Sequence, residues 1–157
     1  IPAEIVEVTR RDASVVELRR ALDPVGRYLE DALAVAGTAD LPSSAAARVV
    51  PGLCRLGLEA ACMEVVRRRR LGRGEPHASV ERALGDAERV MPLLAMALFD
   101  DAGRTGDVLP RLEREAGKPL CEAVKQVEAG SRELNAANAV ELVRQSSQLA
   151  AWLRGLS

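Results

Sequence analysis

The sequence predicts an all-α protein, a helical bundle of five to seven helices with a short N-terminal β-hairpin. Apolar residues recur at helical spacing from residue 23 onward, whereas residues 4–18 alternate apolar and polar side chains as strands do. Aromatic residues make up only 2% of the chain, so the core must consist of Ala, Leu and Val, which closely packed helices accommodate. At 157 residues the chain has the length of one domain. We therefore expect one helical domain over residues 23–157.

The hairpin is predicted for residues 1–22. Val6 and Val8 alternate with polar residues, and a β-branched run extends from Ser14 to Leu18. Because two strands alone are marginally stable in water, they need a helix or a sheet to lie against. The chain begins with Ile1, not Met, so we expect a piece of a longer protein, in which these strands are either part of the bundle or the end of a preceding domain.

A first helix is predicted to begin at Pro24. Asp23 is a favoured N-cap residue, and proline is tolerated at the first helical position because its missing N–H is not needed there. Gly37 supplies the stop. One face of this helix is predicted to carry its apolar residues, namely Val25, Tyr28, Leu29, Ala32, Val35 and Ala36.

A second helical stretch is expected after a cap at Ser43 or Ser44. Pro51 either kinks this helix or begins a new one that runs to about Leu71. Gly72 and the glycine and proline residues that follow end it.

Further helices are expected over residues 78–99 with an interruption near Pro92, and over residues 107–116, 118–129 and 134–153. Residues 90–98 are apolar on all sides, which in a protein dissolved in water indicates a helix enclosed by others at the bundle centre. The last helix has the clearest apolar stripe: Ala139, Leu142, Val143, Ser146, Leu149, Ala150 and Leu153.

Composition excludes several classes of protein. Hydrophobic residues at 48% and charged residues at 29% favour a folded chain over a disordered one, and a net charge of −1 argues against a surface that is basic throughout. Cys54 and Cys62 lie about 12 Å apart on one predicted helix, too far for a disulfide, so we expect reduced core thiols. The single histidine, His77, has no cysteine nearby, and we expect no metal and no cofactor. No apolar stretch reaches the roughly 20 residues of a membrane helix and no signal peptide precedes the domain, so a cytoplasmic location is predicted.

The candidate nucleic-acid-binding residues are the arginines at the end of the second helix: Arg67, Arg68, Arg69, Arg70 and Arg73. Guanidinium groups clustered this way neutralise phosphates. The alternative is structural, because cations at a helix C-terminus are favoured by the helix dipole and arginine is the usual base of this chain. On either interpretation, replacing Arg67, Arg68 and Arg70 is expected to leave the fold intact.

Two other charged features admit a structural interpretation. Arg55 and Glu59 are spaced i, i+4 in an apolar stretch, which predicts a buried or half-buried ion pair. His77 is predicted to be a solvated loop residue, without a serine or cysteine nucleophile nearby.

Three segments carry a family resemblance: VVELRRALDPVGRYLEDA at residues 15–32, GLCRLGLEAACMEVVRRRRL at 52–71 and SRELNAANAVELVRQSSQLAAWLR at 131–154. Together they resemble the helical region that follows the ATPase core in some bacterial ABC-type or SMC-like ATPases of phage-defence systems, a region similar to HEPN domains. The resemblance implies an antiviral defence function, RNA or DNA as a partner, an ATPase domain or subunit as another, and a homodimer. No membrane partner is implied.

HEPN ribonucleases carry an arginine, four to six residues, and then a histidine near the last helices. Arg132 matches the arginine, but Ala137, Asn138 and Ala139 occupy the positions of the histidine. Arg132 and Asn138 are thus a degenerate catalytic pair, because an amide cannot exchange protons near neutral pH. The chain is then a non-cleaving relative, a form that lost its histidine by engineering, or unrelated. Arg70 and His77 also fit the spacing, but by chance, since they lie mid-chain.

Two hypotheses for the function follow. The first is a HEPN-like helical module that binds nucleic acid with weak or absent ribonuclease activity. The second is a non-catalytic protein-interaction or dimerisation bundle that docks through the hairpin edge and the last helix. Arginines gathered with Arg132 on one exposed face would favour the first. An exposed Trp152 or Leu156 is expected to contribute to self-association.

Overall fold

The computed structural model describes residues 23–156 in full and the backbone of residues 6–11 and 15–20. Within residues 23–156 it contains seven α-helices and one 3₁₀ turn, Thr105–Asp107. The predicted helical bundle is confirmed. The helices are α1 (Pro24–Ala36), α2 (Ser43–Gly72), α3 (His77–Ala87), α4 (Val90–Phe99), α5 (Val108–Glu115), α6 (Lys118–Ala129) and α7 (Ala136–Arg154).

Two strands precede the helices. The backbones of β1 (Val6–Arg11) and β2 (Val15–Arg20) pair antiparallel, with Val8 opposite Leu18. Residues 12–14, which would form the turn, lie outside the described residues. The predicted hairpin therefore stays a prediction.

Local capping sets the ends of α1 and α7. The Asp23 carboxylate accepts a hydrogen bond from the Gly26 N–H at 2.9 Å, so α1 begins at Pro24 as predicted. The Asn135 side chain accepts one from the Asn138 N–H at 2.8 Å. Because Asn135 is the cap, α7 begins at Ala136, two residues after the start predicted at about Leu134.

The predictions for α2 need correction. The helix is continuous for 30 residues, so Pro51 lies inside it and does not begin a new helix. Neither Ser43 nor Ser44 is the cap, because Pro42 occupies that position without a side-chain hydrogen bond. An interior proline costs about 3 kcal/mol. Here the buried Pro51 belongs to a helix that packs against α1, α3, α4, α6 and α7, and this packing offsets the cost.

The break between α3 and α4 differs from the predicted one. It lies at Glu88 and Arg89, where Glu88 adopts a left-handed conformation with φ 46°, and not at Pro92. Pro92 falls in the first turn of α4, where its missing N–H is harmless. His77 is the first residue of α3 and not a loop residue.

The predicted core is largely observed. All seven residues of the α7 stripe are buried, as are Val90 and residues 93–98 of α4. On α1 the stripe is buried except for Tyr28 and Val35, which are half-buried. Although α4 is enclosed as predicted, the helix that spans the bundle is α2. None of the helices in residues 23–156 is long and apolar enough to cross a membrane.

The long helix α2 runs parallel to α7. At one end the Leu134 N–H donates to the Ser43 carbonyl at 3.1 Å. At the other end the Arg154 guanidinium contacts Glu64 at 2.8 Å and Asp23 at 2.6 Å. Both ends of α2 are thereby tied to the ends of α7.

Candidate functional site

The arginine run at the end of α2 does not form one face. Successive side chains on a helix point about 100° apart, so four consecutive arginines reach different neighbours. Arg67 extends to α3, Arg68 to the end of α7, and Arg69 and Arg70 to the end of α4. The run therefore joins three helices to the C-terminal end of α2.

Arg67 makes a two-pronged ion pair with Glu81. Its Nε and Nη2 donate to the two carboxylate oxygens at 2.7 and 3.0 Å. These hydrogen bonds raise the pKa of Arg67 and lower the pKa of Glu81. The pair links α2 to α3. It also occupies Nε and Nη2 of Arg67, the guanidinium edge that would otherwise bind a phosphate.

Arg68 and Arg69 bind carbonyl groups at helix ends. Arg68 Nη2 donates to the carbonyls of Arg154 and Leu156 at 3.0 and 2.5 Å. Arg69 donates to the carbonyls of Met96 and Ala97 at 3.3 and 2.9 Å. The last carbonyls of a helix lack intrahelical partners and carry partial negative charge. These two arginines therefore cap α7 and α4 from outside.

Arg70 and Arg73 share the carboxylate of Asp100. The distances are 2.8 Å from Arg70 Nε and 2.7 Å from Arg73 Nη2. Asp100 ends α4 in a left-handed conformation with φ 59°. Although burial acts to raise the pKa of Asp100, the hydrogen bonds from Arg73 and Arg70 hold that pKa below its ordinary value. Removing Arg70 is therefore expected to lower the stability of the protein, whereas the expectation that the fold itself stays intact remains a prediction.

The predicted catalytic pair lies elsewhere. Arg132 and Asn138 are both exposed, and Arg132 has no hydrogen bond or ion pair with any residue that the structure describes. They flank the start of α7, beside Ser43 of α2. Ser43 and Arg67 are separated by about 36 Å along α2. Arg132 and the arginine run therefore form no single patch, and binding of nucleic acid by either stays a prediction.

The remaining charged candidates are also separate from one another. His77 is 75% exposed with Nε2 3.7 Å from Glu81, whereas Arg70 is held at Asp100, so these two make no pair. Arg55 Nε lies 3.9 Å from Glu59, whose side chain is only 12% exposed. The half-buried pair predicted for Arg55 and Glu59 is thus present, although it is long.

The thiols are buried, as expected for core cysteines. Burial raises the pKa of Cys62 well above its ordinary range, so this thiol stays protonated at neutral pH. Burial likewise raises the pKa of Cys54, and the neighbouring Ser146 hydroxyl partly offsets that rise. Ser146 is fully buried, yet its Oγ has no hydrogen-bond partner within bonding geometry among the described residues.

An apolar groove between α1 and α2 was not found from the sequence. It has a volume of about 410 Å³ and is lined by Pro24, Val25, Tyr28, Leu56, Ala60 and Met63, with the charged groups of Glu59, Glu64 and Arg67. The groove residues that belong to α2 recur every three or four positions. A helix face buried in a core has the same spacing, so the sequence pattern does not distinguish the two. We call this feature the α2 groove.

The α2 groove continues toward α3. Met63 and Arg67 also line an adjoining depression with Glu81, Leu84 and Glu88. The residues that line the α2 groove and this depression include four carboxylates, of Glu59, Glu64, Glu81 and Glu88, and one guanidinium, of Arg67. The lining therefore carries a net negative formal charge, although Arg154 also binds Glu64. Burial raises the pKa of Glu59, and the Arg55 guanidinium offsets part of that rise.

Neither residue predicted to drive self-association is prominently exposed. Trp152 and Leu156 are partly buried against the core, which corrects the premise that they are exposed, whereas self-association itself stays a prediction. The large hydrophobic side chains that are exposed are those of Leu33, Val49, Leu71 and Val140.

No group of three or more His, Cys, Asp or Glu side chains suited to a metal ion occurs in the described part of the chain. Comparison of the chain with protein-family models, with curated proteins and with solved structures gave no match.

Proposed function

We propose that this bundle is a non-catalytic protein-interaction module and that the α2 groove is its docking surface. The observation that carries the proposal is an open apolar groove with a negatively balanced rim. Its volume of about 410 Å³ lies in the range of sites that bind small ligands or short peptide segments. The buried thiols and the amide at Asn138 supply no proton-transfer group for a nuclease.

Charge complementarity specifies the occupant. The floor offers Leu56, Ala60 and Met63 to apolar side chains. On the rim, Glu64 is already bound by Arg154, whereas Glu59 has only the distant Arg55. A segment with apolar side chains flanked by arginine or lysine would cover the floor and pair with the rim carboxylates. We therefore propose a basic, amphipathic segment of a partner protein as the ligand.

A displayed library of random peptides tests the proposal. Selection on the immobilised protein should enrich sequences that combine apolar residues with arginine or lysine. Synthetic peptides of the enriched consensus should bind the Met63→Arg variant at least about tenfold more weakly, a loss of about 1.4 kcal/mol. Val140→Arg, at an exposed apolar position on α7, is the matched control and should bind normally. Peptides that bind both variants equally well, or an acidic consensus, would contradict the proposal.

A second candidate rests on Arg132. An exposed arginine without a partner among the described residues, beside Asn138 at the start of α7, is suited to a phosphate contact. This is the HEPN-like alternative, a nucleic-acid-binding module of a bacterial defence ATPase, cytoplasmic and homodimeric, with weak or absent ribonuclease activity. Its test is a salt titration of RNA binding. Arg132→Gln should reduce the salt dependence, and no binding at low salt would rule this candidate out.

A further inference from the structure

A polar cleft lies where α2, the start of α4 and the end of α6 meet. It is lined by Arg55, Glu59, Arg89, Val90 and Glu128. Its volume of about 470 Å³ is within the range of sites that bind small molecules. Two guanidinium groups and two carboxylates therefore share one cleft, and Val90 adds an aliphatic surface. We call this feature the α4 cleft.

The charged groups of the α4 cleft do not satisfy one another. Arg89 and Glu128 are exposed and have no hydrogen bond or ion pair within the described part of the chain. Arg55 pairs only with Glu59, at 3.9 Å, which exceeds hydrogen-bonding distance. In contrast, the ion pairs made from the end of α2 to Glu81 and Asp100 are 2.7–2.8 Å long. The cleft therefore presents charges of both signs that lack a hydrogen-bonded partner.

The arrangement of these charges suits a small dipolar molecule. The Glu59 side chain is only 12% exposed, and a charge interaction is stronger where water is largely excluded, so an ammonium beside Glu59 is favoured. A guanidinium such as that of Arg89 donates two parallel hydrogen bonds to one carboxylate. Because α2, α4 and α6 each contribute charged groups, a bound molecule can bridge charges that the fold keeps apart.

We propose that the α4 cleft binds a free α-amino acid with an aliphatic side chain. Arg55 and Arg89 hold its carboxylate, and Glu59 and Glu128 hold its ammonium. Val90 contacts the aliphatic side chain. A zwitterion matches both signs of charge, whereas a simple anion would also meet the two carboxylates and a simple cation the two guanidinium groups.

Titration of the full chain with L-leucine, followed by ligand-observed NMR, tests the proposal. Two analogues of L-leucine serve as matched probes, namely isocaproate, which lacks the ammonium, and isoamylamine, which lacks the carboxylate. Each analogue loses one set of charge-assisted hydrogen bonds and should bind at least about tenfold more weakly than L-leucine. No binding of L-leucine, or equal binding of all three probes, would overturn the proposal.

Two substitutions locate the binding. Arg89→Gln and Glu128→Gln should each weaken L-leucine binding at least about tenfold. Both side chains are exposed and unpaired among the described residues, so the melting temperature of each variant should match that of the unsubstituted chain. Arg82→Gln, at an exposed position outside the cleft, is the control and should bind L-leucine normally. An affinity for L-leucine that neither substitution in the cleft changes would also overturn the proposal.

The α4 cleft and the α2 groove can be tested independently. Glu59 lines both, but Arg89 and Glu128 line only the cleft and Met63 lines only the groove. Met63→Arg should therefore leave L-leucine binding unchanged while it weakens binding of the selected peptide. Peptide binding without L-leucine binding would overturn the amino-acid site alone, and the reverse result would overturn the docking groove alone.

Discussion

Replacing Gly57 with alanine tests a close approach of α1 and α2. A Cβ atom at this position would lie 3.0 Å from both Cγ and Cδ2 of Leu29, and 3.6 Å from Cβ of Tyr28. Carbon atoms in favourable contact are about 3.5–4.0 Å apart. Leu29 or the α1 backbone must therefore give way by a few tenths of an ångström, beside Tyr28 in the wall of the α2 groove.

The size of the effect follows from two opposing contributions. Overpacking in a well-packed core costs about 1–3 kcal/mol, whereas alanine is favoured over glycine in a helix by about 1 kcal/mol. Gly52 lies in the same helix, and a Cβ atom there would meet nothing within 4 Å. Gly52→Ala should therefore gain the helix preference of alanine without any overpacking cost. The two variants should therefore differ in free energy of unfolding by about 1–3 kcal/mol, with Gly57→Ala the less stable.

Urea unfolding followed by far-ultraviolet circular dichroism measures this difference. In a chain of this length each kcal/mol corresponds to about 2–4 °C in melting temperature, so a thermal melt provides an independent value. If both substitutions stabilised the protein equally, the close approach at Gly57 would be refuted. A Gly52→Ala variant that lost stability would refute the reasoning about the control.

The remaining predictions concern the arginine contacts and the buried hydroxyl. Arg70→Gln should lower the free energy of unfolding by about 1–3 kcal/mol because Asp100 loses a charged partner. Arg82→Gln, at an exposed position, is the control and should change the free energy of unfolding by less than about 0.5 kcal/mol. Equal urea midpoints for the two variants would exclude the Arg70 contact. The pKa of Asp100 is lowered on folding, so its contribution to stability is present above about pH 4 and is lost as the pH falls through the folded-state pKa. Asp100→Asn should accordingly destabilise the protein more at pH 7 than at pH 2, and an equal loss at both would count against this linkage. Ser146→Ala should stabilise by about 1 kcal/mol because it removes a buried hydroxyl without a partner among the described residues; a loss in the same urea assay would mean that the hydroxyl is bonded.

The sequence predicted those helix features that depend on residues close together in the chain. Asp23 and Pro24 specify the start of α1 because the cap and its N–H donor lie three residues apart in the chain. The α7 stripe was predicted in full because a helix that buries one face must repeat apolar residues at its own period. Burial of α4 followed from its lack of a polar face.

Only the tertiary structure decided the features that depend on contacts between distant residues. Pro51 is a local signal for a kink or for the start of a new helix, and the new helix does not occur because burial against neighbouring helices keeps α2 continuous. The sequence shows five arginines at a helix end, and the same composition would suit a phosphate-binding face. Their actual partners, such as Glu81 and Asp100, come from α3 and from the end of α4. The α2 groove likewise exists because α1 and α3 flank α2 without covering it. The distance between these helices is set by how they pack, and no short stretch of sequence determines it.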